Sequence, residues 1–183
     1  MKRPTILIVL TLGAALAAVQ APAQTGPEGD VSAKASKSQC PRVALSSVEK
    51  PQAMGRSFSA ARSADLIFHV LFNRKLDEGH VVTLKVFTPK GHLYRQFDVP
   101  VASGTEKRSQ GARRLPGYPY PVPVQATSTM KAGKRKYESV DITFPVAGSA
   151  IVTSSLYGRW TVEVYLDGAT DPCDKPEFFR LRE

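Results

Sequence analysis

The sequence predicts an all-β fold. Several segments alternate apolar and polar residues with a period of two, which is typical of strands that bury one face. Glycine and proline residues separate these segments with the spacing of turns, and no stretch shows a convincing helical period. About seven strands result, a number that suits two packed sheets. We therefore predict an antiparallel β-sandwich.

The N-terminus has the pattern of a signal peptide. Lys2 and Arg3 precede an apolar stretch, and a small-residue cleavage motif follows at residues 21–23. The apolar stretch is shorter than the roughly 20 residues that a membrane-spanning helix needs, so cleavage is favoured over an uncleaved anchor. A lipoprotein would need a cysteine directly after this stretch, and the first cysteine is Cys40. We predict a signal peptide over residues 1–23 and a periplasmic or secreted protein.

The folded domain is expected to begin near Cys40. Residues 24–39 are polar or small and offer little to bury, which predicts a flexible leader. A short strand follows in "RVALSSV" and a longer one in "ADLIFHVLFNR". In "VVTLKVFTPKGHLYRQFDV", Pro89 and Gly91 separate two strand-like stretches at positions that suit a tight turn. This segment is predicted to be one hairpin.

The later strands show the clearest alternation. "SVDITFPV" places apolar residues at every second position, and "EFFRLR" provides the last strand. In "GRWTVEVYLDG", Trp160, Val162 and Val164 alternate with polar residues, and Asp167-Gly168 ends the strand with a turn. We expect Trp160, which heads this apolar face, to be buried in the core.

The segments "LKVFTPKGHLY" and "LYGRWTVEVYLDG" resemble parts of the immunoglobulin-like domains found in exported bacterial proteins. The resemblance implies an immunoglobulin-like β-sandwich over residues 40–183 and implies no particular activity. In antibody domains the tryptophan lies on an early strand, whereas Trp160 lies on the penultimate predicted strand.

The two cysteines are predicted to form a disulfide. Exported chains with an even number of cysteines commonly pair them, and the alternatives are two free or intermolecular thiols. Cys40 precedes the first predicted strand and Cys173 precedes the last. In immunoglobulin-like topologies part of the first strand runs parallel to the last, so the resemblance implies that these two positions lie at the same end.

A basic insert interrupts the strand pattern at about residues 103–137. It carries eight Lys or Arg residues and one Glu, so it accounts for all of the excess positive charge that remains after signal-peptide removal. The predicted binding residues of the insert are Lys107, Arg108, Arg113, Arg114, Tyr118, Tyr120, Lys131, Lys134, Arg135 and Lys136.

Prolines at every second position mark the centre of the insert. Pro119, Pro121 and Pro123 fit either a polyproline II spacer or an edge strand whose N–H groups are missing on one side. We favour the edge strand or extended cover. In both alternatives the segment keeps the flanking basic clusters at a fixed separation.

The charge of the insert predicts an anionic partner. In an envelope this is lipopolysaccharide, phospholipid headgroups at a membrane surface, teichoic acid or an acidic protein. Export argues against nucleic acid, although tyrosines lie among the basic residues. The alternative is a solvated loop that only improves solubility.

No catalytic, metal or cofactor site is predicted. His80 and His92 are expected at opposite ends of one hairpin, and His69 lies mid-strand, where a hydrogen-bonded histidine is more common than a ligand. The chain has no G-x-S-x-G motif, and the aspartates of "DGATDPCD" lack EF-hand spacing. We predict a non-enzymatic protein that binds or supports an envelope component. The alternatives are an accessory domain or subunit of an envelope enzyme, or a structural periplasmic protein with no dedicated ligand.

Overall fold

The computed structural model describes residues 40–73, 76, 79–103, 111–132 and 134–183. The predicted signal peptide, the predicted leader, Lys107 and Arg108 lie outside this part of the chain. The described residues are mostly β. The elements are β1 (Arg42–Ser47), β2 (Ser57–Ser59), β3 (Asp65–Phe72), β4 (His80–Phe87), β5 (Leu93–Ala102), β6 (Ala112–Arg113), β7 (Val122–Pro123), β8 (Gln125–Ala126), β9 (Ser128–Ala132), β10 (Arg135–Pro145), α1 (Ala150–Thr153), β11 (Gly158–Leu166) and β12 (Glu177–Arg182).

The strands form two large sheets and a small one. The four-stranded sheet has the order β1-β3-β10-β9, and the six-stranded sheet has the order β2-β12-β11-β4-β5-β8. Strands β6 and β7 pair only with each other. The pairs β2–β12 and β5–β8 are parallel, and the other described pairs are antiparallel.

Both large sheets contribute to one hydrophobic core. Phe68 and Phe144 come from the four-stranded sheet, and Trp160 and Phe179 come from the six-stranded sheet. The Phe144 and Trp160 rings are 5.9 Å apart between centroids, and those of Phe68 and Phe179 are 5.8 Å apart. These edge-on ring contacts join the sheets through the residues that the period-two pattern placed on buried faces.

All of the segments predicted as strands are strands in the structure, namely β1, β3, β4, β5, β10, β11 and β12. The hairpin of β4 and β5 turns at Thr88, where the Gly91 N–H donates to the Thr88 carbonyl at 2.9 Å. Gly91 has a φ of 81°, a left-handed conformation that favours glycine. Trp160 is completely buried, as expected.

Regular strand pairing occurs inside the range predicted for the insert. Strand β9 begins at Ser128 and β10 begins at Arg135, so regular pairing resumes inside the range assigned to the insert. Their hairpin lies at a sheet edge and is rich in exposed cations. It therefore lacks the apolar alternation that reveals a half-buried strand. The remaining strands, β2 and β6 to β8, span two or three residues each.

No described helix has the length and apolar character needed to cross a membrane. The one described helix, α1, is four residues long and starts at Ser149, whose side chain accepts a hydrogen bond from the Ile151 N–H.

Candidate anion-binding surface

The structure divides the predicted basic insert between the two large sheets. Residues 111–127, here called the proline arm, run beside the six-stranded sheet. Strand β9 together with Lys134 and residues 135–139 of β10, here called the basic hairpin, extends the edge of the four-stranded sheet. Arg113 and Arg114 belong to the arm, and the four cations Lys131, Lys134, Arg135 and Lys136 belong to the hairpin.

Side-chain contacts hold the proline arm on the six-stranded sheet. Arg113 donates to the carbonyl of Gly79, and the Tyr118 hydroxyl donates to Asp98 Oδ2 at 2.9 Å. Burial and the hydrogen bond to Asp98 raise the pKa of Tyr118. Tyr120, in contrast, keeps 79% of its surface exposed. Tyr118 is therefore a structural contact of the arm, and Tyr120 is exposed to solvent.

Only the end of the proline run is a strand, since Pro119 and Tyr120 lie in a bend and β7 spans Val122 and Pro123. Val122 and Pro123 pair with Ala112 and Arg113, and the Val124 N–H donates to the carbonyl of Gly111 at 2.8 Å. Of the three prolines of the run, only Pro123 lies in this strand pair. The partner strand, however, belongs to the arm itself and not to the sandwich.

A groove of about 400 Å³ lies between the arm and the sheet. Arg113 and Arg114 line it, but so do Asp98 and Asp167. Asp98 also accepts hydrogen bonds from Thr83 and Gln96. Carboxylates and guanidinium groups therefore share this groove, and its local charge is balanced.

The basic hairpin has four cations and one carboxylate, Glu138, which accepts a hydrogen bond from the Thr127 hydroxyl. Lys131 and Lys136 occupy directly opposed positions on β9 and β10, and all four cations of the hairpin are exposed. The ion pairs of the described residues are Arg56–Glu177, His69–Asp141 and His80–Asp167, and none involves a hairpin cation. Like charges directly opposite each other destabilise a strand pair. An anion that binds between the two lysines would remove this repulsion.

A second cavity, of about 490 Å³, adjoins the basic hairpin, and we call it the hairpin cavity. Its lining is mostly polar and includes two of the hairpin lysines. The lining residues are Pro51, Gln52, Ile67, His69, Ser128, Thr129, Met130, Lys131, Lys136, Ser139 and Asp141.

A hydrogen-bonded chain of three side chains forms one wall of the hairpin cavity. His69 Nδ1 lies 2.7 Å from Asp141 Oδ1, and His69 Nε2 lies 2.8 Å from Ser46 Oγ. A carboxylate can only accept, so Nδ1 carries the proton and donates to Asp141. In the neutral ring, Nε2 then accepts from the Ser46 hydroxyl. The predicted hydrogen-bonded state of His69 is confirmed, but its partners were not foreseen.

The hydrogen bonds of Ser46, His69 and Asp141 follow the order of a serine-hydrolase triad. In such a triad the serine is accessible and the aspartate is buried, whereas here the serine is buried and the aspartate is partly exposed. Ser46 is completely buried and does not line the cavity, whereas 53% of the Asp141 side chain is exposed. A nucleophile must reach a substrate carbonyl, and this hydroxyl cannot do so here. The hydrogen bonds from Ser46 through His69 therefore fix the orientation of Asp141 at the cavity wall.

The two cysteines are neighbours, as predicted, but are not bonded to each other in the structure. Cys40 and Cys173 are half-buried thiols, and their sulfurs lie beyond disulfide distance. Burial and a hydrogen bond with Cys40 raise the pKa of Cys173.

Among the described residues, no three His, Cys, Asp or Glu side chains are grouped to hold a metal ion. No protein-family model matches this sequence, and no similar sequence is found among the curated proteins.

Proposed function

We propose that this chain is an exported, non-enzymatic protein with an immunoglobulin-like β-sandwich, and that it binds an anionic component of the cell envelope through the basic hairpin. The observation that carries the proposal is the opposition of Lys131 and Lys136, neither of which forms an ion pair with a described residue. A strand pair that keeps two cations opposed gains stability when an anion binds between them.

The hairpin supports this function better than the other described residues of the insert do. Arg113 donates a hydrogen bond to a backbone carbonyl, and Arg114 lies in the groove beside the arm together with two carboxylates. Neither arginine therefore presents an unbalanced charge. The signal-peptide pattern supports export, and the two sheets around one core support the sandwich.

Removal of the hairpin charge tests the proposal. We expect the variant Lys131→Gln, Lys134→Gln, Arg135→Gln, Lys136→Gln to lose more than about tenfold in affinity for phosphatidylglycerol vesicles, because each basic residue near an anionic surface contributes about 1 kcal/mol. Sedimentation of the purified protein with vesicles measures this affinity. Binding of the parent protein should also weaken as salt rises, since exposed charges are screened over about 8 Å at physiological ionic strength.

The matched control changes the same number of exposed cations elsewhere, namely Arg62, Lys90, Lys175 and Arg182 to Gln. This variant has the same net charge as the hairpin variant and should keep most of the affinity. If both variants lose affinity equally, net charge and not the hairpin determines binding. If neither loses affinity, the hairpin only improves solubility.

A second prediction concerns the absence of hydrolase activity. We expect a fluorophosphonate probe not to label the protein, because the Ser46 hydroxyl is completely buried. Mass spectrometry of the probe-treated protein measures labelling, with a known serine hydrolase as the positive control. Labelling of Ser46 that disappears in Ser46→Ala would contradict the non-enzymatic proposal and favour the envelope-enzyme alternative.

A further inference from the structure

Strand β9 is an open edge of the four-stranded sheet. It spans Ser128–Ala132 and pairs with β10, and no described residue pairs with its other side. On the opposite edge, β1, the Leu45 carbonyl accepts from the Gly55 N–H at 2.8 Å. The Ser47 carbonyl of β1 likewise accepts from the Lys50 N–H at 3.0 Å. Within the described part of this sheet, β9 is therefore the edge at which another strand can add.

The pairing of β10 with β3 sets the direction of the backbone groups in β10. Just beyond the paired residues, the Val146 N–H donates to the Ala64 carbonyl at 3.0 Å, and these two residues continue the register of the strand pair. Backbone groups of successive residues in a strand point to opposite sides. Even-numbered residues of β10 therefore direct their N–H and C=O groups toward β3, and odd-numbered residues direct theirs toward β9.

The same alternation assigns the backbone groups of β9. Tyr137 faces Met130 and bonds to it, whereas Lys136 lies opposite Lys131 with its backbone groups directed toward β3. The N–H and C=O groups of Lys131, and with them those of Thr129, consequently point away from β10. No described backbone group bonds to them there. Two donors and two acceptors are thus available to a partner strand.

The two faces of the hairpin differ in side-chain chemistry. Lys136 shares the face of the core residue Val140, and Lys131 lies directly opposite Lys136. The other face carries Met130 and Tyr137, which also lie opposite each other and are half-buried. A strand that adds to β9 would place alternate side chains beside Lys131 on one face and beside Met130 on the other. Acidic residues suit the first set of positions, and apolar residues suit the second.

The charge of the hairpin selects the partner. Its cations would repel a second copy of β9 and so oppose self-association through this edge, which is a common role of lysine on exposed edges. An acidic strand would instead be attracted. The carboxylate of the hairpin, Glu138, lies on β10, so β9 separates it from a strand that adds at the edge.

We propose that an acidic, extended peptide segment of an envelope protein binds the basic hairpin by adding a strand to the edge of β9. Main-chain hydrogen bonds to Thr129 and Lys131 provide the pairing, and the alternation of acidic and apolar side chains provides the specificity. This inference rests on the proposed function, because it names the partner class of the same hairpin. An anionic lipid surface would use the cations but not the backbone groups of β9.

Calorimetric titration with a synthetic peptide tests the proposal. The probe is acetyl-Glu-Val-Glu-Thr-Glu-Val-Glu-amide, and the matched peptide acetyl-Glu-Glu-Thr-Val-Val-Glu-Glu-amide has the same composition without the alternation. We expect the alternating peptide to bind about fivefold or more tightly, because each of its side chains meets a suitable cross-strand neighbour. Equal affinity of the two peptides would show that charge alone determines binding and would overturn strand addition.

Backbone methylation of the probe separates strand addition from charge attraction. One version of the alternating peptide carries N-methyl groups on its glutamates, and the other carries them on its valines and threonine. Both versions keep every charge. Alternate residues of an added strand face β9, so one version should lose binding and the other should keep it. If the two versions bind equally, the backbone of the peptide does not pair with β9 and the inference fails.

The variant Thr129→Pro tests the edge of the protein itself. Proline removes the outward N–H of Thr129 and leaves the charge of the hairpin and its hydrogen bonds between β9 and β10 in place. We expect the affinity for the alternating peptide to fall about tenfold or more, because a paired donor is lost. Binding to phosphatidylglycerol vesicles should stay unchanged, and unfolding in urea checks that the variant is folded. Unchanged peptide affinity of the folded variant would exclude β9 as the docking edge.

Replacement of the opposed lysines tests the contribution of charge. Lys131→Gln, Lys136→Gln should weaken binding of the alternating peptide about fivefold, since exposed ion pairs contribute modestly to affinity. The matched control is Lys90→Gln, Lys175→Gln, which removes two exposed lysines outside the hairpin. It should stay within about twofold of the parent, because salt screens distant charges. Equal losses in both variants would mean that net charge attracts the peptide, which overturns the inference.

The outcomes separate this inference from the proposed function. Binding of the parent protein to phosphatidylglycerol vesicles, without binding of either acidic peptide, overturns only the inference and identifies a lipid surface as the partner. Binding of neither vesicles nor peptides overturns both proposals. Binding of the alternating peptide that depends on Thr129 and on one of the two methylation patterns supports the inference.

Discussion

Replacement of Trp160 by alanine should destabilise the protein by about 3–5 kcal/mol, the usual cost of removing a large aromatic side chain from a core. Trp160 is completely buried. Its ring stacks on Phe179 at a centroid distance of 6.0 Å and meets Tyr94 and Phe144 edge-on at 5.2 and 5.9 Å. Removal of the indole therefore opens a cavity between the two sheets.

The loss of a hydrogen bond adds to the destabilisation that this cavity causes. The Trp160 Nε1–H donates to the Leu156 carbonyl at 3.0 Å, so the alanine variant leaves that carbonyl without this donor. Phenylalanine at the same position keeps an aromatic ring in the core. It loses the hydrogen bond and one of the two fused rings of the indole. Trp160→Phe should consequently be less destabilising than Trp160→Ala.

Equilibrium unfolding in urea measures both free energies. The matched control is Tyr120→Ala, which also removes an aromatic ring but from a residue that is 79% exposed. It should change the stability by less than about 0.5 kcal/mol. A loss below about 1 kcal/mol for Trp160→Ala would mean that the sheets do not pack through this ring in solution.

Sequence patterns predict an element when one face of it is buried along its length. Strand β11 alternates Trp160, Val162 and Val164 with polar residues, and the structure buries these three side chains in the core. The turn between β4 and β5 was predictable for a different reason, because Gly91 adopts a left-handed conformation that few other residues tolerate.

The basic hairpin gives no comparable signal. Its charged residues need no burial to be stable, and β9 is paired on one side only, so its position depends on backbone pairing with β10. Backbone hydrogen bonds are the same for every residue type except proline. The sequence therefore indicated an unusual concentration of charge but not that a strand pair carries part of it.

The Ser46–His69–Asp141 chain depends on register across distant segments. Ser46 and His69 meet because β1 pairs with β3, and Asp141 lies opposite His69 because β10 pairs with β3. A sequence alone does not specify which strands are neighbours. The one available signal was the occurrence of polar residues at outward positions of strands that are otherwise buried.

Oxidation of Cys40 and Cys173 to a disulfide is the second change for which we expect a large effect. The thiols are already neighbours, so bond formation needs only a local adjustment. The bond would close a loop of more than 100 residues, for which loop-closure entropy gives an upper figure of about 4–5 kcal/mol. The reduced protein should unfold at a correspondingly lower urea concentration.

The state of the thiols can be measured directly. A protein purified from an oxidising compartment and titrated in denaturant without reductant should show no free thiol, and two reactive thiols per chain would contradict the disulfide. The double variant Cys40→Ser, Cys173→Ser is the control for stability, since it should match the reduced parent and not the oxidised one.

The reduced folded protein should also show a distinct reactivity. Burial raises the pKa of Cys173, so its thiol stays protonated at a pH where an exposed cysteine is partly thiolate. Only the thiolate attacks iodoacetamide, and we therefore expect Cys173 to react more slowly in the folded reduced protein than after unfolding. Folding disfavours the Cys173 thiolate and so favours its protonated thiol. The contribution of this protonated thiol to the stability of the reduced protein is present below the ordinary cysteine pKa, and it is lost as pH rises through the raised pKa of Cys173. Equal alkylation rates in the folded and unfolded states would show that the Cys173 thiol is not shielded as the structure has it.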